Sequence, residues 1–403
     1  MPSTRILNRI HYFNPGHETA ILQGTRNYTA PTNVRVMQRD LESLPLWYAE
    51  RGDWVYVNTL PDLANLPVDI QAKAVSADKL SAGTALFSSP LLATPWGISP
   101  QSLYLFERLR ERGYPLLISP WKEIYSRLSG RQTAAECLRQ LRSLLPDYTL
   151  PEAPRFFSDT TETLDYLRAA TGALVLKTPY SSSGRGLLWL HGGAADEKSR
   201  QWIRGAIRKQ GMLSVERAQE KIEDFAMEFR IDDPEHVHYE GLSLFRTEER
   251  GAYTGNLLDE QERMRQHITQ SIGEALFERV KEAVRATLAT HYAPHYTGCV
   301  GVDMLLYRND RGAVAIHPCV EVNMRHTMGW VALRLYQRYV APGATGRFLV
   351  TFDKDPGEAY RIHQRMTAAH PLKSEAGKVR QGYLSLCPVT EETHYRAYLL
   401  LYR

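Results

Sequence analysis

The stretch HPCVEVNMRHTMGW (317–330) has an alternation that decides how the chain is read. Glu321, Asn323 and Arg325 fall at every second position, with Val320, Val322 and Met324 between and before them. Successive side chains of a β-strand point to opposite faces, so an acid, an amide and a guanidinium share one face and the apolar residues share the other. The preceding segment, from Gly298, reads as the first arm of a hairpin that turns at NDRG (309–312), with Asp303 on its strand. A strict four-residue loop would pair Asp303 with Pro318 and turn Glu321 away from it. The reading therefore requires an odd-length loop or a bulge, and Pro318, which cannot donate to a ladder, suits a bulge. Asp303, Glu321 and Asn323 then offer two carboxylates and an amide oxygen, the hard donors that Mg2+ takes when water and phosphate fill its other positions. Arg325 can reach a phosphate or a carboxylate with two hydrogen bonds. For a lone ExN a solvated strand face is the simpler reading; the aspartate on the facing strand weighs against it.

Upstream, ALVLKT (173–178) and LLWL (187–190) read as strands joined by a loop rich in serine and glycine. Ser181, Ser182, Ser183, Gly184 and Gly186 offer accessible backbone N–H groups for phosphate oxygens, and Lys177 and Arg185 add positive charge. The loop lacks the GxxxxGK[ST] pattern, and taken alone it is an ordinary surface turn. Further on, Glu216 ends the strand MLSVE (212–216), and Asp224, Ala226, Glu228 and Arg230 share one face of the next strand. A strand-end acid can hold an adenine amino group or ribose hydroxyls; a surface salt bridge explains any single one of them as well. The segment 262–290 is the clearest helix, with Ile268, Ile272, Leu276, Val280, Val284 and Leu288 every four residues.

In this order, a strand-end lysine, a Gly/Ser hairpin loop, an acid after a helix, a long helix and D…ExNxR on a hairpin, the chain resembles the ATP-grasp superfamily of carboxylate–amine ligases over roughly 130–345. The resemblance implies two α+β subdomains that sandwich ATP, at 126–225 and 226–350, the second carrying the metal site. It also implies a Rossmann-like N-terminal α/β domain at 1–125 and leaves 351–403 as a C-terminal extension. Lys177 would contact ATP phosphates beneath the mobile 181–186 loop, and Glu216 would lie at the adenine hinge. The ribose acid would be Asp224 or Glu228, and the spacing leaves both open. Asp303, Glu321 and Asn323 would hold magnesium, and Arg325 would steady the transferring phosphate. The implied activity is an ATP- and Mg2+-dependent ligase that forms an amide through an acyl phosphate. A kinase on the same scaffold and a non-catalytic nucleotide-binding protein are the alternatives.

The first 120 or so residues alternate strand and helix signals, as in ILNRIHYF (6–13), DLESLPLWYAERG (40–52), DWVYVNT (53–59), SLYLFERLRERG (102–113) and YPLLISP (114–120). That alternation predicts a parallel α/β sheet. Ligands of such sheets lie beyond the C-terminal strand ends, which makes Asn14, Gly16, His17 and Glu18 of FNPGHETA (13–20) candidates for gripping a substrate amine or carboxylate. Arg230, on the face shared with Asp224 and Glu228, is a further substrate candidate. TPWG (94–97) is a second candidate loop, whereas His236 and His238 lack a third spaced metal ligand.

Of the 403 residues 43% are hydrophobic and 23% charged, and a formal net charge of +4 comes without a basic tract, so nucleic acid is not an expected partner. The four cysteines are scattered with no CxxC pair, which argues against a disulfide scaffold or a thiolate zinc site. No run approaches the roughly 20 apolar residues of a spanning helix, and MPSTRILNRIHYFNPGHE (1–18) has no long apolar core. The expectation is a cytoplasmic enzyme acting on small molecules, amino acids or peptides at the family level, with the oligomeric state open.

Overall fold

Strands β1 (Arg9–Tyr12), β2 (Trp54–Val57), β3 (Lys73–Ser76), β4 (Leu91–Pro95) and β5 (Leu116–Leu117) form a wholly parallel sheet in the order β3-β2-β1-β4-β5. This is a computed structural model, and it describes residues 7–63, 66–76, 87, 89–181, 186–192, 195–247 and 253–402. The chain divides into two units: Met1–Lys122, Thr254–Glu260 and Trp330–Arg403 make the first, and Glu123–Tyr253 and Gln261–Gly329 the second.

In the first unit, Ile10, Val75, Leu91, Phe106, Leu109 and Leu116 are among the buried side chains that close the sheet's core. The helix Pro100–Glu111 packs there, started by Ser99, whose hydroxyl accepts from the Ser102 backbone N–H in a capping box. The segment 40–52 departs from its helical expectation. The helix Thr32–Asp40 ends at the segment's first residue, and Pro45, which has no N–H to carry that ladder on, instead falls in the first turn of a short 3-10 helix at Leu44–Trp47.

In the second unit, β6 (Arg155–Phe157), β7 (Ala173–Lys177), β8 (Leu187–His191) and β9 (Leu213–Arg217) form an antiparallel sheet in the order β6-β9-β7-β8. Leu167 from the helix Thr160–Ala169 and Ile203 from the helix Glu197–Gln210 pack on it with Leu174, Leu176, Leu213 and Val215. Asp159 and Asp196 cap these two helices. Next come β10 (Glu220–Asp233), β11 (His236–Thr247), β13 (Gly298–Arg308) and β14 (Val314–Asn323), while β12 (Tyr253–Leu258), between β11 and β13 in sequence, lies in the first unit from Thr254 onward. Within this unit β14, β13, β10 and β11 are consecutive antiparallel neighbours. The single helix expected over 262–290 is two, Gln261–Ile272 and Glu274–His291. Gly273 separates them at φ +82°, a conformation that breaks the ladder although the apolar period runs on through it.

Residues 351–403, expected as an extension, belong to the first unit. There β12, β15 (Thr345–Phe352), β18 (Tyr395–Tyr402), β17 (Lys378–Ser385) and β16 (Lys373–Glu375) follow one another in an antiparallel sheet. Polar side chains tie this segment to the N-terminal part of the unit. Trp47 Nε1 donates to the Leu386 carbonyl at 2.6 Å, and Asp40 Oδ2 accepts from the His394 and Tyr395 backbone N–H groups at 2.8 and 2.9 Å. No described helix is long and apolar enough to cross a membrane.

Candidate active site

The hairpin β13–β14 meets the requirement of the sequence reading twice over. Its loop is residues 309–313, an odd number, which sets Arg308 opposite Val314. Beyond that, the register jumps between Leu305↔His317 and Asp303↔Glu321, so Met304 alone faces the bulged stretch 318–320. Asp303 and Glu321 are thereby direct cross-strand partners, and Asn323 stands opposite Gly301. Asn323 Nδ2 donates to Asp303 Oδ2 at 3.1 Å.

Like charges directly opposite each other in a ladder are destabilising, and here the repulsion is only partly offset, by Arg131 beside Glu321 and by the field of Arg325 at Asp303. Burial, and then the Glu321 carboxylate, push the Asp303 carboxyl up to about 7. Two carboxylates and an amide oxygen converge here, and Asp303 stays raised despite the nearby guanidinium groups, a donor set that fits a hard divalent cation. Among the described residues no three His, Cys, Asp or Glu side chains cluster in a metal-binding group, so the amide of Asn323 is needed to complete the set.

Lys177, at the end of β7, and Glu216, directly opposite Val175 on β9, form an ion pair with side chains 10% and 12% exposed. Burial works against the charged form of Glu216, yet the Lys177 ammonium holds its carboxyl below the ordinary range. Burial pushes the His317 imidazole, electrostatically coupled to both, down to about 4, which leaves it neutral at pH 7.

The sequence reading missed Arg131, on the first turn of the helix Arg131–Leu144. Its Nε donates to the Thr178 carbonyl at 3.1 Å, its Nη2 donates to Ser181 Oγ at 3.2 Å, and the same nitrogen lies 3.3 Å from Glu321 Oε2. One guanidinium thus joins the start of the 178–186 loop to the carboxylate pair. A signal was present: a cation at a helix N-terminus opposes the helix dipole and calls for a compensating anion. At the far end of the loop Gly186 has φ +70°, and a Cβ there would fall 2.2 Å from Thr178 Oγ1, so only glycine closes the turn. Ser182, Ser183, Gly184 and Arg185 lie outside the described residues.

The register also separates Asp224 from Glu228. Ala226 pairs with Asp303, with Asp224 two residues toward the Glu216 end and Glu228 two residues the other way, each roughly 7 Å along the strand. Asp224 accepts from Lys221 Nζ and from Thr247 Oγ1, both at 2.6 Å. Glu228 is 1% exposed and accepts from Thr327 Oγ1 at 2.8 Å; burial pushes its carboxyl up to about 8. Arg230 is engaged on its own hairpin, donating from Nε to Glu240 Oε1 at 2.9 Å and pairing with Asp232. Arg325 Nη1 donates to the His326 carbonyl at 3.1 Å, and its guanidinium stabilises the charged forms of Asp303 and Glu228.

In the first unit the FNPGHE and TPWG loops meet. They follow β1 and β4, neighbouring strands where the sheet order reverses, the usual ligand crevice of such sheets. Asn14 Nδ2 donates to the Gly97 carbonyl at 2.8 Å, and the Gly97 N–H donates to Asn14 Oδ1 at 3.1 Å, so the amide clamps the two loops. A Cβ on Gly97 would fall 2.3 Å from the His17 ring, and one on Gly16 2.6 Å from Val34. His17 and Glu18 are both buried, with Nδ1 and Oε2 3.0 Å apart.

The buried acids give the stability a pH dependence of definite sign. Asp303 and Glu228 keep their protons up to about 7 and about 8, whereas in the unfolded chain both ionise at about pH 4. The folded state then binds more protons across that interval, so stability rises as pH falls through about 8 toward 6.5. Below about 6.5 the unfolded chain protonates its histidines. His317, His291 and His363, all depressed by burial, resist protonation in the fold and turn the trend downward there. Scanning calorimetry of the metal-free protein is expected to give a rising Tm from about pH 8 to 6.5 and a shallower limb in Asp303→Asn or Glu228→Gln. A flat profile over that interval counts against both raised carboxyls.

No family model matches the sequence, and no curated protein matches it. Solved structures do. An N5-carboxyaminoimidazole ribonucleotide synthetase in complex with ADP is similar at TM-score 0.51 and 12% identity, over 98% of this chain and 92% of that one. A biotin carboxylase from Campylobacter jejuni, in complex with an ATP analogue, is similar at TM-score 0.50 and 8% identity, over 98% of this chain and 87% of that one. At these identities the likeness bears on the fold alone.

Proposed function

With the ATP-grasp fold as the premise, we propose that this chain is an ATP- and Mg2+-dependent ligase joining a carboxylate to an amine through an acyl phosphate. The observation that carries the reading is the direct pairing of Asp303 with Glu321, with Asn323 hydrogen-bonded to Asp303 and Arg131 against Glu321. The structural neighbours support it in kind, being an ADP complex of a ribonucleotide synthetase and a nucleotide complex of a biotin carboxylase.

Magnesium held by Asp303, Glu321 and Asn323 would neutralise phosphate charge and fix the geometry of transfer. Lys177 and Arg131 are the phosphate cations, with the 181–186 loop, Ser182, Ser183, Gly184 and Arg185 included, as the cover. Glu216 and neutral His317 mark the adenine end. Asp224, on the Glu216 side of Asp303, is the ribose acid in preference to Glu228. Arg325, just past the metal ligands, meets the charge that develops as the γ-phosphoryl group passes to the substrate carboxylate. The amine then attacks the acyl phosphate, giving amide, ADP and phosphate. In the first unit His17 and Glu18 remain the proposed substrate contacts, while Asn14 and Gly16 hold the loops. Arg230 is spent on Glu240 and Asp232.

The test is ADP release from Mg2+-ATP with mixed amino acids and other small carboxylates, with and without hydroxylamine. The expected result is hydroxamate formed together with ADP. ADP release that no carboxylate stimulates, and from which hydroxylamine traps nothing, would overturn the ligase.

A further inference from the structure

We propose that Glu228 is a positioning residue: through Thr327 and the backbone of Gly329 it fixes the 324–329 segment, and with it Arg325, beside the Asp303–Glu321–Asn323 cluster. The proposal rests on the reading of Arg325 as a phosphate-binding group. β14 ends at Asn323, so the residues that carry Arg325 have left the ladder. One turn holds the near side, where the Arg325 N–H donates to the Asn323 carbonyl at 2.9 Å. Two residues further on, Thr327 Oγ1 donates to Glu228 Oε1 at 2.8 Å.

The carboxyl is wedged between two glycines. A Cβ on Gly329 would fall 2.2 Å from Glu228 Oε1, and one on Gly301 3.0 Å from Oε2. Neither glycine has a positive φ, so it is this close approach, and not backbone conformation, that calls for them. Ser243 crowds the same place, its Oγ 2.5 Å from that position on Gly329. Glu228 therefore reaches from β10 across β13 to the segment after β14 and fills the space between them. A buried carboxyl is an expensive filler when an apolar side chain would do. Its Oε2 has no hydrogen-bond partner among the described residues, so the visible return on that cost is the hold on Thr327. The tether needs one acceptor oxygen and a flat group between the glycines, and an amide supplies both.

Thr327→Val keeps the side-chain shape and removes the donor. It is expected to lower kcat at least about tenfold while leaving KM for ATP within about twofold. Combined with Arg325→Ala it should cost no more than Arg325→Ala alone, because both changes act through the same guanidinium. In turnover and in exchange at 324–329, Glu228→Gln should match the native protein, and Glu228→Ala should match Thr327→Val. Amide hydrogen exchange at 324–329 should quicken in Thr327→Val and Glu228→Ala with β13 unchanged, a readout independent of turnover. Additive losses with Arg325→Ala, or unchanged exchange in Thr327→Val, would overturn the proposal. A native protein that releases no ADP removes the ligase reading, and the exchange measurement still decides the tether.

Discussion

Replacing Glu321 by Gln is expected to lower ADP release by roughly a thousandfold, the scale of losing a group that stabilises charge in the transition state. The change is nearly isosteric, so the fold and the ladder pairing with Asp303 remain. Three things change together. The site keeps one carboxylate of its two, so its affinity for a hard divalent cation falls. Arg131 loses the anion 3.3 Å from its Nη2, which loosens its hold on Ser181 and the Thr178 carbonyl. Asp303 loses the like charge that, after burial, raises its carboxyl, so its value moves back toward the ordinary range. The measurement is turnover against Mg2+ concentration. A lost cation ligand shifts the midpoint to higher Mg2+, and the titration of Asp303 moves to lower pH in the same variant. Turnover within tenfold of native at every Mg2+ concentration would mean that the transferring phosphate does not lie against this face.

How much of this was legible without coordinates depends on how local each feature is. The alternation of Glu321, Asn323 and Arg325 is a property of adjacent residues, and so was readable. The pairing of Asp303 with Glu321 was not fixed in advance, because it depends on loop parity and on a bulge around Pro318, where the register shifts. Asp224 and Glu228 share a strand face and differ in the register position each takes relative to Asp303, which no spacing within 224–228 reveals. The break at Gly273 was hidden because the apolar period continues across it in phase. Arg131 stands nearly 200 residues from Glu321 in sequence, and a charge opposed to a helix dipole is a weak sign among many arginines. The segment 351–403 was opaque for a related reason: its strands pair with one another and with β15, which starts before it at Thr345 and itself pairs with β12 from the middle of the chain.

Lys177→Met is expected to weaken Mg2+-ATP binding by about a hundredfold or more if Lys177 is, as proposed, a desolvated cation at the phosphates. It also carries a stability effect that must be separated from the binding effect. Lys177 and Glu216 are buried partners, and removing one partner of such a pair costs about 3 kcal/mol or more, because the other charge is left unpaired. In native protein the ammonium holds the Glu216 carboxyl below the ordinary range against its burial. Once the ammonium is gone, burial dominates and the folded-state value rises above the unfolded one. Glu216 then contributes stability below its unfolded value near pH 4–5, and that contribution is lost as pH rises through the new folded value. The variant is thus expected to melt earlier than native protein at pH 8 and to recover most of the difference in mild acid. Lys177→Met combined with Glu216→Gln removes both charges, so the double variant should regain native-like melting at pH 8 while still failing to bind Mg2+-ATP. Calorimetric titration with nucleotide and melting curves at the two pH values separate these effects. If restoring stability in the double variant also restored nucleotide affinity, Lys177 would be a structural partner of Glu216 and the phosphate charge would have to come from Arg131.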